Sequence, residues 1–526
     1  MSEPYPHPRE FEHLVDLASD GVGGMALYAT DEFFAEKDAL LRPGAPQFLA
    51  DKYTDRGKWM DGWESQRRRS PGHDYCVLRL GLPGRVRGVC VDTTHFRGNA
   101  PAECQIEGIE GALHTPLEAL LADAGYSVLL PRTPLRPNTQ NVFSIAAPAS
   151  EQRVTHLRLR IYPDGGVARL RVYGEVAPDE RIFWQVAAVD LCAVENGGTI
   201  AAVSDRFFGP PSNLLLPGRG VNMGDGWETA RRRTPGGDWA VIRLGRPGVI
   251  ERIELDTHFF KGNAPQACLI EALDGRGWDE ERITAELTSP NGLSQRLSGE
   301  HRWRPLLDYA RLERHTRHWF VPDRPLTATH VRVHIFPHGG VNRLRLFGHA
   351  LDSERDQRAL SSLNQMEEGE ARALLHSFCG ASEFVERMLR GRPYLTAREL
   401  FMMARRVFFS LDEAQWLEAF AAHPRLGQQQ AAATQTARSL AWSRGEQEAL
   451  AQSDEAVREQ LLALNETYAQ KFGFIFILCA TGLPPREVLA ALERRIDRPR
   501  SVEIEAAASE QVRITELRIG KWLRGA

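Results

Sequence analysis

The chain has 526 residues, 42% of them hydrophobic and 25% charged: roughly three to four domains at about 150 residues each, and too much apolar material for a disordered or fibrous chain. Sixty-five basic residues against sixty-nine acidic ones give a formal net charge of -4, which excludes the broad positive field of a dedicated nucleic-acid or anionic-membrane binder. The seven cysteines (Cys76, Cys90, Cys104, Cys192, Cys268, Cys379 and Cys479) are odd in number and lack any C-x-x-C spacing. They suggest neither a disulfide framework nor a thiolate zinc site, and a reducing cytosol fits them. The first residues, MSEPYPHPREFEHLVDL, have no basic segment leading into an apolar one, and the last four, LRGA, are not a peroxisomal signal. The most apolar stretch, 472–478, is far short of the roughly 18 residues that span a bilayer, so a soluble cytoplasmic protein is expected.

In chain order the first signal is a duplication. Residues 61–81 (DGWESQRRRSPGHDYCVLRLG) align without gaps on 225–245 (DGWETARRRTPGGDWAVIRLG) with fourteen of twenty-one positions identical, and 92–101 (DTTHFRGNAP) fall on 256–265 (DTHFFKGNAP) at the same offset of 164. A third block, 161–174 (IYPDGGVARLRVYG), matches 335–348 (IFPHGGVNRLRLFG) at an offset of 174. A period this long makes each copy a whole domain, since solenoid units run only about 20–50 residues. Within a copy, THLRLRIY (155–162) alternates Leu157, Leu159 and Ile161 with His156, Arg158 and Arg160, the period-two pattern of a half-buried strand. With Pro-Gly and Gly-Gly turns between short apolar runs, each copy reads as an all-β sandwich or jelly roll. The polar run 352–357 (DSERDQ) reads as a linker. Beyond it, 363–378, 397–409, 411–422, 446–468 and 484–496 carry helical spacing. The predicted architecture is therefore two homologous all-β sandwich domains, 1–185 and 186–352, followed by an all-α domain, 353–526.

The paired DGWE and RRR strings, the DT…F…GNAP blocks and NLLLPGRGVNMGDGWETARRR resemble allantoicase over roughly residues 15–350. That resemblance implies tandem jelly rolls and the release of urea from allantoate to leave ureidoglycolate. A substrate with one carboxylate and two ureido groups calls for forked donors and for acceptors or carboxylates. Arg67, Arg69, Arg231 and Arg233 are the candidate substrate-binding cations, with Asn99 and Asn263 beside them. Glu64 and Glu228 are the candidate catalytic acids for a ureido leaving group, and Asp92 and Asp256 come next. An RRR run is more often a solvated strand face than an anion site, Gly98-Asn99-Ala100-Pro101 is most simply a turn, and Trp63 and Trp227 suit a core better than substrate stacking. His95 faces Phe259 in the alignment while His258 sits one place earlier, so the copies are expected to be inequivalent, one carrying more of the chemistry. These histidines with Asp92 or Asp256 are candidate metal ligands, and the metal requirement of this half is left open.

CGASEFVERMLRGRPY (379–394), AHPRLG (422–427), SRGEQ (443–447) and LNETYAQKFGFIFILCATG (464–482) resemble 2-oxo-4-hydroxy-4-carboxy-5-ureidoimidazoline (OHCU) decarboxylase, the enzyme that makes (S)-allantoin. The resemblance implies a catalytic pair, His423 and Glu446, with Pro424, Ser443, Gln447 and Arg518 binding substrate, and no cofactor. The chemistry agrees: carbon dioxide leaves a tetrahedral carbon next to an imine, so the ring itself accepts the electrons. His423 and Glu446 form a sensible acid–base pair and Arg518 can hold an anion. Ser443 and Glu446 also have capping-box spacing.

The expected protein is a bifunctional enzyme of purine catabolism, acting on allantoate and on OHCU. These steps are not consecutive, because allantoinase acts between them. The expected partners are these small molecules and further copies of the same chain in a homo-oligomer, with no nucleic acid and no membrane. A rival reading makes the β pair a non-catalytic binding or scaffolding module with only the decarboxylase active, and another the reverse.

Overall fold

The computed structural model describes residues 11, 14–112, 115–122, 125–185, 188–288, 302–322, 324–424, 455–481, 483 and 485–525. The chain divides into two compact units. One holds both β-rich repeats. The other is the helical region from Asp352 onward together with two short pieces of the preceding chain, among them Glu180–Gln185.

Each repeat is organised by one nineteen-residue strand, Asp74–Asp92 in the first and Asp238–Asp256 in the second. The first half of Asp74–Asp92 pairs antiparallel with Met25–Ala29 and Arg153–Tyr162. Its second half pairs with Gln140–Ser144 and Arg169–Val176. The register jumps at the Gly81–Gly84 segment, where partners of Val154 and His156 are five residues apart, Gly84 and Arg79. A strand that bends there passes from one layer to the other and folds a single eight-stranded sheet into a jelly-roll sandwich. The second repeat reproduces the pairing with Thr199–Val203, Leu326–Phe336, Arg317–Phe320 and Arg343–Ala350, and jumps between Arg243 and Gly248. Leu78, Val89, Val91, Leu157, Leu159 and Val172 fill the first core with no exposed surface. Trp63 and Trp227 are fully buried and send their indole N–H groups to the carbonyls of Asp31 (2.8 Å) and Asp205 (3.0 Å).

The strand 153–162 departs from the half-buried expectation, because His156 and Arg158 are as buried as the leucines between them. The chain that leads into the earlier strand Ser127–Pro134 covers that face. Arg158 tolerates burial by donating to the carbonyls of Leu120 (2.7 Å) and Ala122 (2.8 Å) under the Tyr126 ring.

In the helical unit the expected single helix over 363–378 is two, Glu354–Gln365 and Glu368–Phe378. Glu367 breaks it, its carboxylate accepting from the Gly369 amide (2.8 Å) as an N-cap. The polar run read as a linker forms the start of the first of these helices, with Ser353 and Asp356 in a capping box. Ala397–Phe409, Glu413–Ala421 and Pro485–Ile496 lie where the periodicity predicts helices. Glu455–Phe472 holds the described part of the 446–468 prediction, and Ser382–Arg390 and Arg500–Leu523 add to them. Trp184 stacks on Phe401 at 5.3 Å within this unit. Tyr468, Phe472, Phe474 and Phe476 form a buried aromatic cluster, beside which the fully buried Glu503 carboxylate accepts from Tyr468 and from Arg495 (2.8 Å). All seven cysteines are buried thiols. Among the described residues no helix is long and apolar enough to cross a membrane.

Candidate active sites

In the first repeat the two-residue strand Trp63–Glu64 pairs with Gly166–Val167. Trp63 enters the core, so the alternation of a strand turns Glu64 the other way, toward the GNAP loop. There Asn99 Nδ2 donates to Glu64 Oε1 at 2.7 Å, while the Asn99 carbonyl accepts from the Gly166 amide at 2.8 Å. Gly165, at φ 131°, passes so near that loop that a Cβ would stand 2.5 Å from the Asn99 oxygen, which leaves room for glycine alone. Glu64 and Asn99 form one wall of a cavity of about 440 Å³, within the roughly 300–1,000 Å³ of small-molecule sites, whose lining includes Phe48, Lys58, His95 and Arg97. Glu64 is 7% exposed. Burial pushes its carboxyl above the ordinary range, and the Asn99 hydrogen bond opposes that only in part.

His95 is left-handed (φ 74°), its amide donating to Asn138 Oδ1 at 2.9 Å. Its Nε2 lies 3.2 Å from the Pro46 carbonyl, which can only accept, so that nitrogen carries a proton. Phe259 repeats the backbone conformation (φ 68°) with its amide on His315 Nδ1, so the left-handed turn belongs to the fold in both copies. His258, in contrast, stacks on His315 at 4.0 Å.

The second repeat keeps the polar pair, with Asn263 Nδ2 donating to Glu228 Oε1 at 2.5 Å, and Glu228 is half-buried. What differs is the chain before the DGWE string. Sixteen residues, 45–60, separate Gly44 from Asp61, whereas six, 219–224, separate Gly218 from Asp225. The longer segment folds into a hairpin of Tyr53–Thr54 and Gly57–Lys58 and supplies Phe48 and Lys58 to the cavity. It is anchored at its end by Asp61, which pairs with buried Arg169 at 2.7 Å and accepts from the Gln47 amide at 2.9 Å. Burial raises the Asp61 carboxyl, but the bonds from Arg169 and Gln47 outweigh it and hold the group below the ordinary range. Asp225 instead turns its carboxylate to the amides of Val221 and Asn222, leaving Arg343 to meet the Asp225 carbonyl. Sequence reasoning passed over Lys58 and Arg97. The change of offset between the two copies before residue 61 is the signal that marks this segment.

The arginine runs split by position. Arg68 and Arg232 pair with Asp74 (2.6 Å) and Asp238 (2.7 Å), whereas Arg67, Arg69, Arg231 and Arg233 are exposed, and Arg67 and Arg69 do not line the cavity. Asp92 and Asp256 are buried and accept from the amides of Thr94 and His258 (2.8 Å each), an Asx-type turn closure. Among the described residues no group of three His, Cys, Asp or Glu side chains is arranged to hold a metal ion.

In the helical unit His423 and Pro424 are half-buried, in the bend that follows Glu413–Ala421. The His423 amide bonds to the Phe420 carbonyl at 3.1 Å. Arg518 is buried on Arg500–Leu523 and donates to the Ser377 carbonyl at 3.3 Å. The end of Glu368–Phe378 and the link after it meet both elements: Ser377 accepts from Arg518, and Gly380 lies against Ala422, where an added Cβ would come within 2.2 Å of the Ala422 Cβ. The adjacent Cys379 thiol is pushed up to about 12 by burial, which keeps it an inert thiol. Ser443, Glu446 and Gln447 lie outside the described residues.

Family comparison covers both parts of the chain. The allantoicase repeat model matches residues 15–177 and 189–351, and the OHCU decarboxylase model matches 364–520. Allantoicase of Dictyostelium discoideum is 41% identical over 344 residues, 64% of this chain and 88% of the relative. A Photobacterium profundum sequence named "Probable allantoicase" is 44% identical over 340 residues, 64% of this chain and 97% of the relative. A crystal structure of allantoicase from Saccharomyces cerevisiae superposes with a TM-score of 0.52 at 31% identity, covering 64% of this chain and 93% of that one. The chain belongs to the allantoicase family and, with an OHCU decarboxylase domain after its two allantoicase repeats, is a bifunctional enzyme of the ureide pathway.

Proposed function

We propose that allantoate is hydrolysed in the cavity of the first repeat, with Glu64 as the acid–base group and Asn99 as its positioning partner. The observation that carries the reading is a buried carboxyl whose proton affinity is raised, hydrogen-bonded on one oxygen and lining a cavity of small-molecule size. Protonated Glu64 gives its proton to one ureido nitrogen as the bond from that nitrogen to the central carbon breaks, releasing urea. The lone pair of the remaining ureido nitrogen forms a C=N bond to the same carbon. Water adds there, the Glu64 carboxylate takes its proton, and the product is ureidoglycolate.

In the helical domain His423 and Glu446 share the proton of the OHCU hydroxyl and return one to carbon after carbon dioxide leaves. Arg518 holds the anion, and Pro424, Ser443 and Gln447 shape the pocket. The match to the family model supports this reading, as does the end of Glu368–Phe378 with its following link, which meets Arg518 at Ser377 and Ala422, beside His423, at Gly380.

Steady-state assays on the full chain test both halves. Glu64→Gln keeps the acceptor for Asn99 and should lower urea release by about 10²–10⁴-fold, while Glu228→Gln leaves it within about threefold. Equal losses from the two overturn the assignment to one repeat. His423→Asn should abolish decarboxylation and spare urea release; an inactive wild-type decarboxylase overturns the second half.

A further inference from the structure

We propose that Lys58 and Arg97 hold the substrate carboxylate, and that Lys58, carried by a segment ten residues longer in the first repeat than in the second, makes that repeat the working site. This rests on the reading that allantoate is hydrolysed in the cavity beside Glu64.

An ammonium has three donors. Two of those on Lys58 go to main-chain carbonyls, Leu49 at 2.6 Å and Ala50, which leaves the third for the cavity that Lys58 lines. The charge lies 5.1 Å from the Phe48 ring and 4.7 Å from that of Tyr53, and all these partners are neutral. Among the described residues this half-buried cation is met only by dipoles and rings, and it keeps its attraction for an anion. Arg97 is exposed at the cavity wall and, among the described residues, bonds to no carboxylate, so its planar fork is available.

Among the described residues Glu64 is the only carboxylate that lines the cavity, so lysine, arginine and glutamate together leave this wall positive whether Glu64 is protonated or ionised. That sign suits a monoanion whose opposite end must meet an acid. The second repeat retains a cation at the Arg97 position, Lys261, but Asn222 stands where Lys58 does, and its side chain caps the Gly224 amide at 2.7 Å. The one basic residue of its six-residue link, Arg219, is exposed.

The test compares Lys58→Met and Lys58→Arg in the full chain, with allantoate as substrate and its neutral carboxamide as a competitor. Lys58→Met should raise KM for allantoate by about ten- to hundredfold, the scale of one charge-assisted hydrogen bond, with kcat within about threefold. Lys58→Arg should restore most of the affinity, and the carboxamide should inhibit wild type and Lys58→Met equally. An unchanged KM for allantoate overturns the proposal. So does an equal weakening of the carboxamide, which would mean a loosened hairpin. Full activity of Glu64→Gln in the same assay removes the cavity reading itself, a failure distinct from that of Lys58.

Discussion

The buried pair Asp61–Arg169 ties the cavity hairpin to the sandwich, and Asp61→Asn isolates its contribution. Arg169 is 3% exposed and Asp61 7%. Besides the 2.7 Å contact with the carboxylate, the guanidinium donates to the carbonyls of Gly44 (3.0 Å), Asp61 (3.0 Å) and Ala168 (2.7 Å). Removing one member of a buried pair costs about 3–5 kcal/mol when the other charge is orphaned. Three carbonyls and an amide oxygen still receive Arg169, so the expected cost is about 2–3 kcal/mol, a fall of roughly 4–12 °C in the transition of the β unit by calorimetry. The carboxyl is held below its ordinary 3.8, so its contribution is present above the unfolded value and lost as pH falls through the folded one. The deficit of Asp61→Asn should accordingly stay constant from about pH 8 to about pH 5 and shrink only in strong acid. Because the hairpin carries Lys58, KM for allantoate should rise as well. The control is Asp225→Asn, whose carboxylate meets main-chain amides rather than a guanidinium, and about 1 kcal/mol or less is expected there. A loss below about 0.5 kcal/mol at Asp61, or an equal loss at Asp225, refutes the anchoring argument.

Asn99→Ala removes the hydrogen bond that favours the charged form of Glu64, so the pH above which kcat/KM for urea release falls should move upward; a downward move contradicts the acid role. Gly380→Ala pushes a methyl group into Ala422, next to His423, at a cost of about 1–3 kcal/mol of overpacking. Decarboxylation should drop while urea release persists, and a drop in both would place the damage elsewhere.

The duplication made the gross architecture legible, because fourteen identities in twenty-one positions require a repeated domain whatever its fold. Glu64 and Asn99 could be named from their blocks, but not their contact, since thirty-five residues separate them and only the closure of Trp63–Glu64 on Gly166–Val167 brings the GNAP loop to the carboxylate. The burial of Arg158 was hidden for a related reason. Alternation reports one apolar face, and the cover over the other comes from chain thirty-six or more residues away. The break at Glu367 was missed because glutamate is a good helix former and its capping role depends on the backbone before it. Lys58 was passed over because it lies before the first of the three aligned blocks, in a link whose length differs between the copies by ten residues.

That last point bears on what repetition can show. The Glu–Asn hydrogen bond is present in both copies, at 2.7 Å and 2.5 Å, and in both it joins a two-residue strand to the loop beneath it. The left-handed residue of that loop is likewise shared, as His95 and Phe259. Features kept by both copies satisfy the same folding constraint, so the pair is a strut of the jelly roll before it is a piece of catalytic machinery. Function must be read from what one copy adds around the strut. In the first repeat the additions are a deeper-buried glutamate, a histidine in the loop, a hairpin whose lysine is bound to main-chain carbonyls, and an ion pair that anchors the hairpin. Each changes charge or burial at the same cavity and none is needed to close the sheet, since the second repeat closes without them. Transplanting residues 45–60 into the second repeat is the converse experiment. If charge and burial around the strut make the site, the chimera should regain urea release in a Glu64→Gln background; if the strut itself does, it should gain nothing.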